Sequence, residues 1–399
     1  MKKIFAIIIC LFTILNCMSF LAYASIDEMI DNNEDDSKNE AIDTVSLEIN
    51  AKSAILMDAE TGTVLYMKNA SEPLPPASVT KIMTLLLVAE AIDSGALSLS
   101  DKVQVSSNAA SKGGSQIFIK EGEAFTVEEL LKSTVIASAN DAAVALAELI
   151  SGTETAFVEK MNERAKQLGM NNTFFENATG LDDTVTKHLT SAYDIALMSR
   201  ELIKHDVITA YSNVWQDTIR DGEFVLTNTN RLVRYYDGCT GLKTGSTDKA
   251  RFCVSATAKR GGMHLIAVVM GAETRDERND AARAMLDYGF SNYALYSEPE
   301  CELENVNVTS GVKDTAYVYS KSFSKLVNKS DKSLIVKEFN IPESLSAPIK
   351  SGDVVGSVIY KLNGEKIGES EIYIKEDIAK INVAGLFYRI IKTIFTGKY

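Results

Sequence analysis

The amino-acid sequence predicts a mixed α/β (α+β) fold, in which helices flank an antiparallel sheet, followed by a small all-β domain. Apolar runs at residues 54–57 and 64–66 are joined by a turn-forming segment, which is typical of a hairpin. Apolar residues from Ile82 to Ile92 recur at helical spacing. Short β-like runs, two of them joined by an Asn-Gly turn, fill residues 298–375. A chain of 399 residues is long enough for two or three domains.

The N-terminal end of the sequence predicts export. Two lysines precede an apolar run, and Ala22 and Ala24 form a small-x-small exit, so we expect residues 1–24 to be a cleaved signal peptide. A permanent membrane-spanning helix is the alternative, but polar residues interrupt a run that is barely long enough to span. Residues 25–46 are rich in Asp and Glu and poor in large apolar side chains, which is typical of a solvated linker.

Composition excludes several classes of function. The formal net charge of -13 argues against a basic surface that binds nucleic acid. The sequence also contains neither a phosphate-binding GxxxxGK[ST] loop nor the cysteine and histidine spacing of a zinc finger. Three cysteines follow residue 24, an odd number that argues against a disulfide framework. The histidines lack metal-ligand spacing, and we expect neither a metal nor another cofactor. The three cysteines are Cys239, Cys253 and Cys301, and the three histidines are His188, His205 and His264.

Ser78 and Lys81 form the first pair that suggests chemistry. They lie three residues apart at the start of the predicted helix, so their side chains can touch. A serine hydroxyl needs an adjacent base to become a nucleophile at neutral pH. Lys81 precedes the apolar stretch 82–87, where burial lowers the pKa of a lysine toward the range of a useful base. A capped helix start with a surface lysine is the alternative interpretation of Ser-x-x-Lys.

A second pair of polar residues follows another predicted helix. Thr126 and Glu129 form a capping-box pattern ahead of an apolar run, so this helix begins there. Ser138 and Asn140 then fall in the loop behind its last turn. The next helix is expected from Asp141 to Leu149.

Lys243-Thr244-Gly245 is the third short motif. It precedes two predicted strands, residues 252–256 and 265–270, which flank Gly261-Gly262 and so form a hairpin. Each of the three motifs is weak by itself. Their joint occurrence in this order is the signature shared by penicillin-binding proteins and class A β-lactamases.

From about Ala54 to Tyr293 the sequence resembles the low-molecular-mass penicillin-binding proteins that act as serine-type D-alanyl-D-alanine carboxypeptidases. The resemblance implies a penicillin-binding/β-lactamase-like transpeptidase fold. It is carried by Pro76–Thr84, Ala137–Ala142, Leu168–Met170, Gly180–Asp182, Gly241–Gly245, Leu265–Gly271 and Tyr288–Phe290.

The resemblance implies an acyl-transfer mechanism on a peptidoglycan stem peptide. Ser78 attacks the carbonyl between two terminal D-alanines, and Lys81 takes its proton. Ser138 relays that proton to the leaving amine, while Asn140 holds Lys81 and the substrate amide. Water then releases the acyl-enzyme.

The resemblance also implies how the substrate is bound. Lys243 attracts the terminal carboxylate and Thr244 hydrogen-bonds to it, within the motif that Gly245 completes. The backbone amides of Ser78 and Ser246 form the oxyanion hole. β-Lactam antibiotics are expected to be covalent inhibitors of the same serine.

The C-terminal residues 377–399 predict an amphipathic helix, which follows a catalytic domain at 47–293 and a small β domain at 294–376. For an exported chain this pattern favours a peripheral anchor on the outer face of the cytoplasmic membrane, and packing on the body of the protein is the alternative. Arg389 and Lys392 lie on the polar face. The apolar face consists of Val383, Phe387, Ile390, Ile391, Ile394 and Phe395.

Two other functions share parts of this pattern. A β-lactamase needs a second carboxylate to activate the deacylating water, and Glu176 is the nearest candidate. A non-catalytic penicillin-binding sensor is suggested only by Arg251, which stands where the family usually has glycine and could crowd the cleft. His188 near Ser191 and Asp194 could suggest a Ser-His-Asp triad, but a structural histidine that caps the following helix is favoured.

Overall fold

The computed structural model describes residues 47–182 and 185–396 of the chain. The predicted signal peptide and acidic linker, residues 1–24 and 25–46, lie outside the described residues and stay predictions. Every described helix is too short or too polar to cross a membrane.

Helices and strands alternate along the first two thirds of the chain, and strands dominate the last third. The helices are α1 Lys81–Asp93, α2 Ser107–Ala110, α3 Val127–Ile136, α4 Asn140–Ser151, α5 Glu154–Gln167, α6 Ala192–Leu202, α7 Asp206–Ser212, α8 Leu232–Tyr235, α9 Arg275–Asn292 and α10 Val383–Thr396. The strands of the first part are β1 Ser53–Asp58, β2 Val64–Lys68, β3 Lys102–Gln104, β4 Ala124–Thr126, β5 Gln216–Ile219, β6 Phe224–Thr227, β7 Cys239–Thr247, β8 Arg251–Arg260, β9 Met263–Ala272 and β10 Tyr293–Glu298. Those of the last part are β11 Cys301–Glu302, β12 Val306–Thr309, β13 Thr315–Ala316, β14 Val318–Ser320, β15 Phe323–Asn328, β16 Val336–Asn340, β17 Ser344–Ser346, β18 Val354–Leu362 and β19 Glu365–Ile374.

The main sheet has the strand order β2-β1-β9-β8-β7, and all its neighbouring strands are antiparallel. Side chains alternate along β1, so Ile55 and Met57 join the core with α1 and α3 to α6, while Ala54 and Leu56 join the core with α9. Because helices cover both faces, β1 and β9 are apolar on both sides. The predicted antiparallel sheet between helices is confirmed, and β7 lies at its edge.

The local signals for the second helix and for the sheet hairpins are also confirmed. Thr126 accepts from the backbone of Glu129 and Glu129 bonds back to Thr126, which completes the capping box of α3. Helix α4 begins at Asn140, one residue earlier than predicted, and ends at Ser151. Strands β8 and β9 join at Gly261-Gly262.

The start of the nucleophile helix differs from the prediction. Ser78 lies in a 3-10 turn, Ala77–Thr80, and the regular helix α1 begins only at Lys81. Ala77 has a positive φ of 48°, and the Val79 amide donates to Pro76 O at 3.2 Å. Ser78 therefore lies in the turn that precedes the helix, whereas Lys81 is the first residue of the helix itself.

The C-terminal part is a small β structure with its own core. One sheet has the order β11-β14-β19-β18-β16, and its hairpin turns at Asn363-Gly364 as the sequence predicts. Val318, Tyr360 and Ile372 are among its buried residues. The all-β nature of this segment is confirmed.

Helix α10 follows this β structure with most of its apolar side chains exposed. Arg389 ties the helix to the turn between β12 and β13, because its guanidinium donates to Gly311 O at 3.0 Å and pairs with Asp314 at 2.7 Å. The exposed residues are Val383, Leu386, Phe387, Tyr388, Ile390, Ile391, Ile394 and Phe395. The helix therefore leaves an apolar surface without a partner among the described residues.

Gly180 controls how closely a neighbouring loop approaches the Ser78 turn. It has a φ of +83°, and a Cβ atom there would lie 1.8 Å from Ala77 O. We therefore expect Gly180→Ala to lower the free energy of unfolding by about 3 kcal/mol or more, measured by urea denaturation. Gly95→Ala is the matched control, since Gly95 also has a positive φ, +75°, but has open space around its Cα. Its cost should be near 1 kcal/mol, and equal losses in the two variants would contradict the steric explanation.

Candidate active site

Ser78 and Lys81 meet as the sequence predicts. Lys81 Nζ donates to Ser78 Oγ at 2.9 Å. The side chain of Lys81 is fully buried. Burial lowers the pKa of this lysine well below its usual value of 10.5, the charge of Lys243 lowers it further, and Asp141 opposes the shift. A neutral amine beside the hydroxyl is a base in hydrogen-bonding reach of its proton.

The segment around Thr179 provides the other acceptor for Lys81. Lys81 Nζ donates to Thr179 O at 2.8 Å, and Thr84 Oγ1 donates to Ala178 O at 2.7 Å. Asn177 shapes this segment, because its Oδ1 accepts from the Gly180 amide at 2.7 Å. Sequence reasoning missed the role of Thr179, since a backbone carbonyl leaves no signal in the side-chain pattern.

Ser138 pairs with the other buried lysine. Lys243 Nζ donates to Ser138 Oγ at 2.7 Å and to Thr244 O at 3.1 Å. Burial, with a smaller contribution from the charge of Arg278, lowers the pKa of Lys243 to about 7. Lys243 was predicted to attract the substrate carboxylate; in the structure its amine is buried beside Ser138. It is therefore placed for proton exchange with that hydroxyl.

Asn140 lies in the site but does not make the expected contact with Lys81. Its Nδ2 donates to Gly113 O at 2.7 Å. Its Oδ1 is buried and has no hydrogen-bond partner among the described residues. A buried acceptor without a donor costs free energy, so this oxygen is ready to receive an N–H group from a ligand.

Strand β7 packs directly on the Ser78 turn. A Cβ atom on Gly245 would lie 2.8 Å from Pro76 O and 2.9 Å from Ser78 N, so only glycine permits this approach. Ser246 follows and lines the cleft with Ser78. Thr244 also lines the cleft, and its Oγ1 donates to Thr229 Oγ1 at 2.8 Å.

The cleft between these elements is a cavity of about 600 Å³. Sequence reasoning missed the cations Arg231, Arg275 and Arg278 in its wall. Burial, together with the charge of Arg275, lowers the pKa of Arg278 to about 10. Within residues 47–182 and 185–396, none of the three forms a salt bridge. Two of these cations, Arg275 and Arg278, could have been noticed in the sequence, because they lie in the first turn of α9, where the helix dipole favours acidic residues.

Arg251 and Glu176, the residues that suggested the alternative functions, do not line the cleft and make structural contacts instead. Arg251 is half exposed, lies 3.7 Å from Glu273 and is not among the residues that line the cleft. Glu176 accepts the amides of Thr186 and Lys187 at 3.0 and 2.7 Å, which holds a loop.

His188 is a buried structural residue, although it does not cap the following helix. Its Nε2 lies 2.7 Å from Thr80 Oγ1, and its Nδ1 accepts from the Glu176 amide at 3.0 Å. Ser191 caps α6 instead, because its hydroxyl accepts from the Asp194 amide. These contacts do not form a Ser-His-Asp triad.

Comparison with known proteins gives one consistent result. Residues 38–274 match the family described as D-alanyl-D-alanine carboxypeptidase, and residues 290–380 match the C-terminal domain of penicillin-binding protein 5. The D-alanyl-D-alanine carboxypeptidase DacF of Bacillus subtilis is 46% identical over 86% of this chain and 90% of that protein.

Solved structures agree with these sequence matches. Penicillin-binding protein 5 from Haemophilus influenzae is similar with a TM-score of 0.72 and 29% identity, over 84% of this chain and 100% of that one. Penicillin-binding protein D2 from Listeria monocytogenes, in its ampicillin-bound form, has a TM-score of 0.57 and 33% identity, over 61% of this chain and 99% of that one. The predicted fold, with its C-terminal β domain, is confirmed.

The low pKa of Lys243 predicts a pH dependence of stability. Between about pH 7 and 10.5 the unfolded chain keeps a proton on Lys243 that the folded chain has lost. The free energy of unfolding therefore rises with pH in this window, by up to about 1.4 kcal/mol per pH unit from this group. We expect Lys243→Met to flatten that slope in urea titrations. Surface Lys166→Met should not, and an unchanged slope in Lys243→Met would contradict the assignment.

Proposed function

Because this chain belongs to the D-alanyl-D-alanine carboxypeptidase family and is a serine hydrolase of that class, we propose that Ser78 is the nucleophile that removes the terminal D-alanine from peptidoglycan pentapeptides. The observation that carries this assignment is the 2.9 Å hydrogen bond between Ser78 Oγ and the fully buried amine of Lys81. Neutral Lys81 takes the serine proton as Ser78 attacks the carbonyl carbon between the two D-alanines.

Ser138 and Lys243 supply a proton to the leaving amine. The departing nitrogen of D-alanine needs a proton donor, and Ser138 lines the same cleft as Ser78. Lys243 can replace the proton that Ser138 gives up, because the two groups are 2.7 Å apart and the pKa of Lys243 is about 7. Lys81 then releases to water the proton that it took from Ser78, and Lys243 regains one from water, so that both amines return to their starting state. The role of Lys243 differs from the carboxylate-binding role that the sequence suggested.

Backbone and side-chain groups hold the rest of the substrate end. The amides of Ser78 and Ser246 face the developing oxyanion, and each such donor is worth about 3 kcal/mol in comparable enzymes. Thr244, Arg275 and Arg278 receive the terminal carboxylate, because the two arginines have no described carboxylate partner of their own. Asn140 Oδ1 accepts the substrate amide, which satisfies its unpaired oxygen.

β-Lactams react at the same serine. The listerial relative was solved with ampicillin bound, and a strained lactam carbonyl in this cleft meets the same nucleophile and oxyanion donors. A β-lactamase function is not favoured, since Glu176 is engaged by backbone amides and does not line the cleft. We expect stable acylation and slow hydrolysis of penicillin.

The protein acts outside the cytoplasmic membrane, held at its outer face by α10. The signal-peptide pattern of residues 1–24 supports export. The exposed apolar side chains of α10, with Phe387 and Ile394 among them, support insertion into the interfacial layer of a bilayer, which does not require a helix that spans it.

Replacement of the nucleophile tests the assignment of Ser78. Wild-type protein should release D-alanine from a synthetic pentapeptide and become covalently labelled by a fluorescent penicillin. Ser78→Ala should lose both activities by at least about 1,000-fold, because the remaining groups cannot form the acyl-enzyme. The matched control, Ser100→Ala at an exposed serine, should keep both. D-Alanine release by Ser78→Ala would assign the chemistry to another residue.

Charges on the apolar face test the membrane assignment. We expect the protein to co-sediment with vesicles that contain phosphatidylglycerol, and the double variant Phe387→Asp with Ile394→Asp to bind at least about tenfold more weakly. Phe339→Asp is the control, because Phe339 is an exposed aromatic residue of the β structure. Equal vesicle binding by all three proteins would remove α10 as the anchor.

A further inference from the structure

We propose that Glu154, the first residue of α5, is a positioning residue for the reaction, because its carboxylate joins two backbone segments, residues 178–180 and residues 112–114. The first of these segments orients Lys81 and the second orients Asn140. Glu154 itself is not among the residues that line the cleft, so it acts through these two neighbours. This inference rests on the proposed function and adds to it a residue outside the three short motifs.

One oxygen of Glu154 bonds to the segment that accepts from Lys81. Its Oε1 accepts from the Ala178 amide at 3.2 Å. The next residue, Thr179, supplies the carbonyl to which Lys81 Nζ donates at 2.8 Å. When the neutral amine donates an N–H to this carbonyl, its lone pair is free to face Ser78 Oγ, which lies 2.9 Å away. The position of Thr179 O therefore affects how well Lys81 takes the serine proton.

The other oxygen of Glu154 bonds to the segment that accepts from Asn140. Its Oε2 accepts from Lys112 Nζ at 2.7 Å and from Asn108 Nδ2 at 3.3 Å. Gly113 follows Lys112, and its carbonyl accepts from Asn140 Nδ2 at 2.7 Å. That bond orients Asn140 so that its Oδ1 is the open acceptor for the substrate amide. A shift of this segment would therefore move a group that binds the substrate.

The two segments also approach each other beside Asn140. Gly114 has a φ of +75°, and a Cβ atom on it would lie 2.8 Å from Asn140 Nδ2 and 3.4 Å from Leu181 Cδ2. Leu181 comes directly after the segment that carries Thr179. Because closely packed groups cannot move independently, a displacement at Glu154 is passed on to the site.

Helix α5 gives Glu154 a fixed position. Thr153 caps this helix by accepting from the Ala156 amide at 3.2 Å. Asn162, further along the helix, donates to Phe175 O at 2.9 Å and accepts from the Phe175 amide at 2.8 Å. The helix dipole alone favours an acidic residue at a helix start, but both carboxylate oxygens of Glu154 also bond to other segments. These contacts indicate a role beyond the stability of α5.

Three substitutions separate the two halves of this role. Glu154→Ala removes both acceptors. Glu154→Gln keeps an oxygen for the Ala178 amide and turns an NH2 group toward Lys112, because the lysine side chain is 21% exposed and can move into solvent whereas the backbone amide cannot. Lys112→Met removes the cation and leaves Glu154 in place.

Glu148→Ala is the matched control. Glu148 lies on α4, is partly buried like Glu154, and accepts from Ser106 Oγ and, at 2.8 Å, from Asn108 Nδ2. It therefore stabilises the same neighbourhood through two bonds, but within the part of the chain that the structure describes it has no hydrogen bond to residues 178–180. Its loss should shift the urea midpoint about as much as the loss of Glu154 does, with kcat and KM within about twofold of wild type.

Loss of both acceptors should slow the chemistry. Glu154→Ala should lower kcat for D-alanine release from pentapeptide, and the rate of acylation by a fluorescent penicillin, by about 20-fold, because Lys81 is displaced from Ser78. The acidic side of the pH profile of kcat should also move to lower pH, because Thr179 O stabilises the charged amine and its loss lowers the pKa of Lys81 further. Lys243 and Asp141, whose charges act on Lys81, remain in every variant.

Loss of the Lys112 contact should affect binding instead. Glu154→Gln and Lys112→Met should raise KM for the pentapeptide about three- to fivefold through Asn140, with kcat lowered by no more than about twofold. Their pH profiles should match the wild type. Since Glu154→Gln removes the same negative charge as Glu154→Ala, a shifted profile in the alanine variant alone is assigned to the hydrogen bond.

Each result decides for or against the inference. Equal losses of kcat in Glu154→Ala and Glu148→Ala with unmoved pH profiles would make Glu154 a structural residue only and overturn it, as would an unchanged kcat in Glu154→Ala. If Glu154→Ala does not fold, an unchanged KM in both Glu154→Gln and Lys112→Met would overturn it. Penicillin acylation of the wild type without D-alanine release would overturn the proposed substrate, while the acylation rates of the variants would still decide the role of Glu154.

Discussion

Lys81, the first residue of the apolar helix α1, is fully buried, and the rest of the site depends on that burial. In water a lysine is charged and cannot accept the proton of a serine. Removal from solvent penalises the charged form, so that the same side chain becomes a base. The fold must provide acceptors for its N–H groups, and it does so with Ser78 Oγ and Thr179 O.

Two buried lysines divide the proton chemistry between them. Lys81 and Lys243 are both fully buried, and the charge of each neighbouring cation makes protonation harder. Lys81 bonds to Ser78, and Lys243 bonds to Ser138, so each of these two serines has its own amine. Their titrations are coupled through the repulsion of their charges, and a pH profile of activity should report the pair.

Close backbone contacts bring these groups together. Gly180 and Gly245 approach the Ser78 turn from two sides, at distances where any side chain would collide with Ala77 O or Ser78 N. The turn is therefore held between a loop and the edge strand β7. This geometry places Ser246 beside Ser78 and opens the edge of β7 toward the cleft. Arg275 and Arg278 of α9 line the same cleft and give this part of its wall a positive charge.

The helices, the strands and the chemical types of the site residues could be predicted from the sequence. Apolar periodicity located the helices and strands, the capping box located α3, and the order of three short motifs identified Ser78, Lys81, Ser138, Asn140 and Lys243, because these are local patterns of neighbouring residues. The hydrogen-bond partner of each group could be learned only from the folded structure. Lys243 donates to Ser138, Asn140 leaves its Oδ1 without a described partner, and Arg278, which is 35 residues after Lys243 in the chain, lines the cleft from α9. Those outcomes depend on packing between distant segments and on backbone atoms such as Thr179 O, and neither leaves a trace in the local order of side chains.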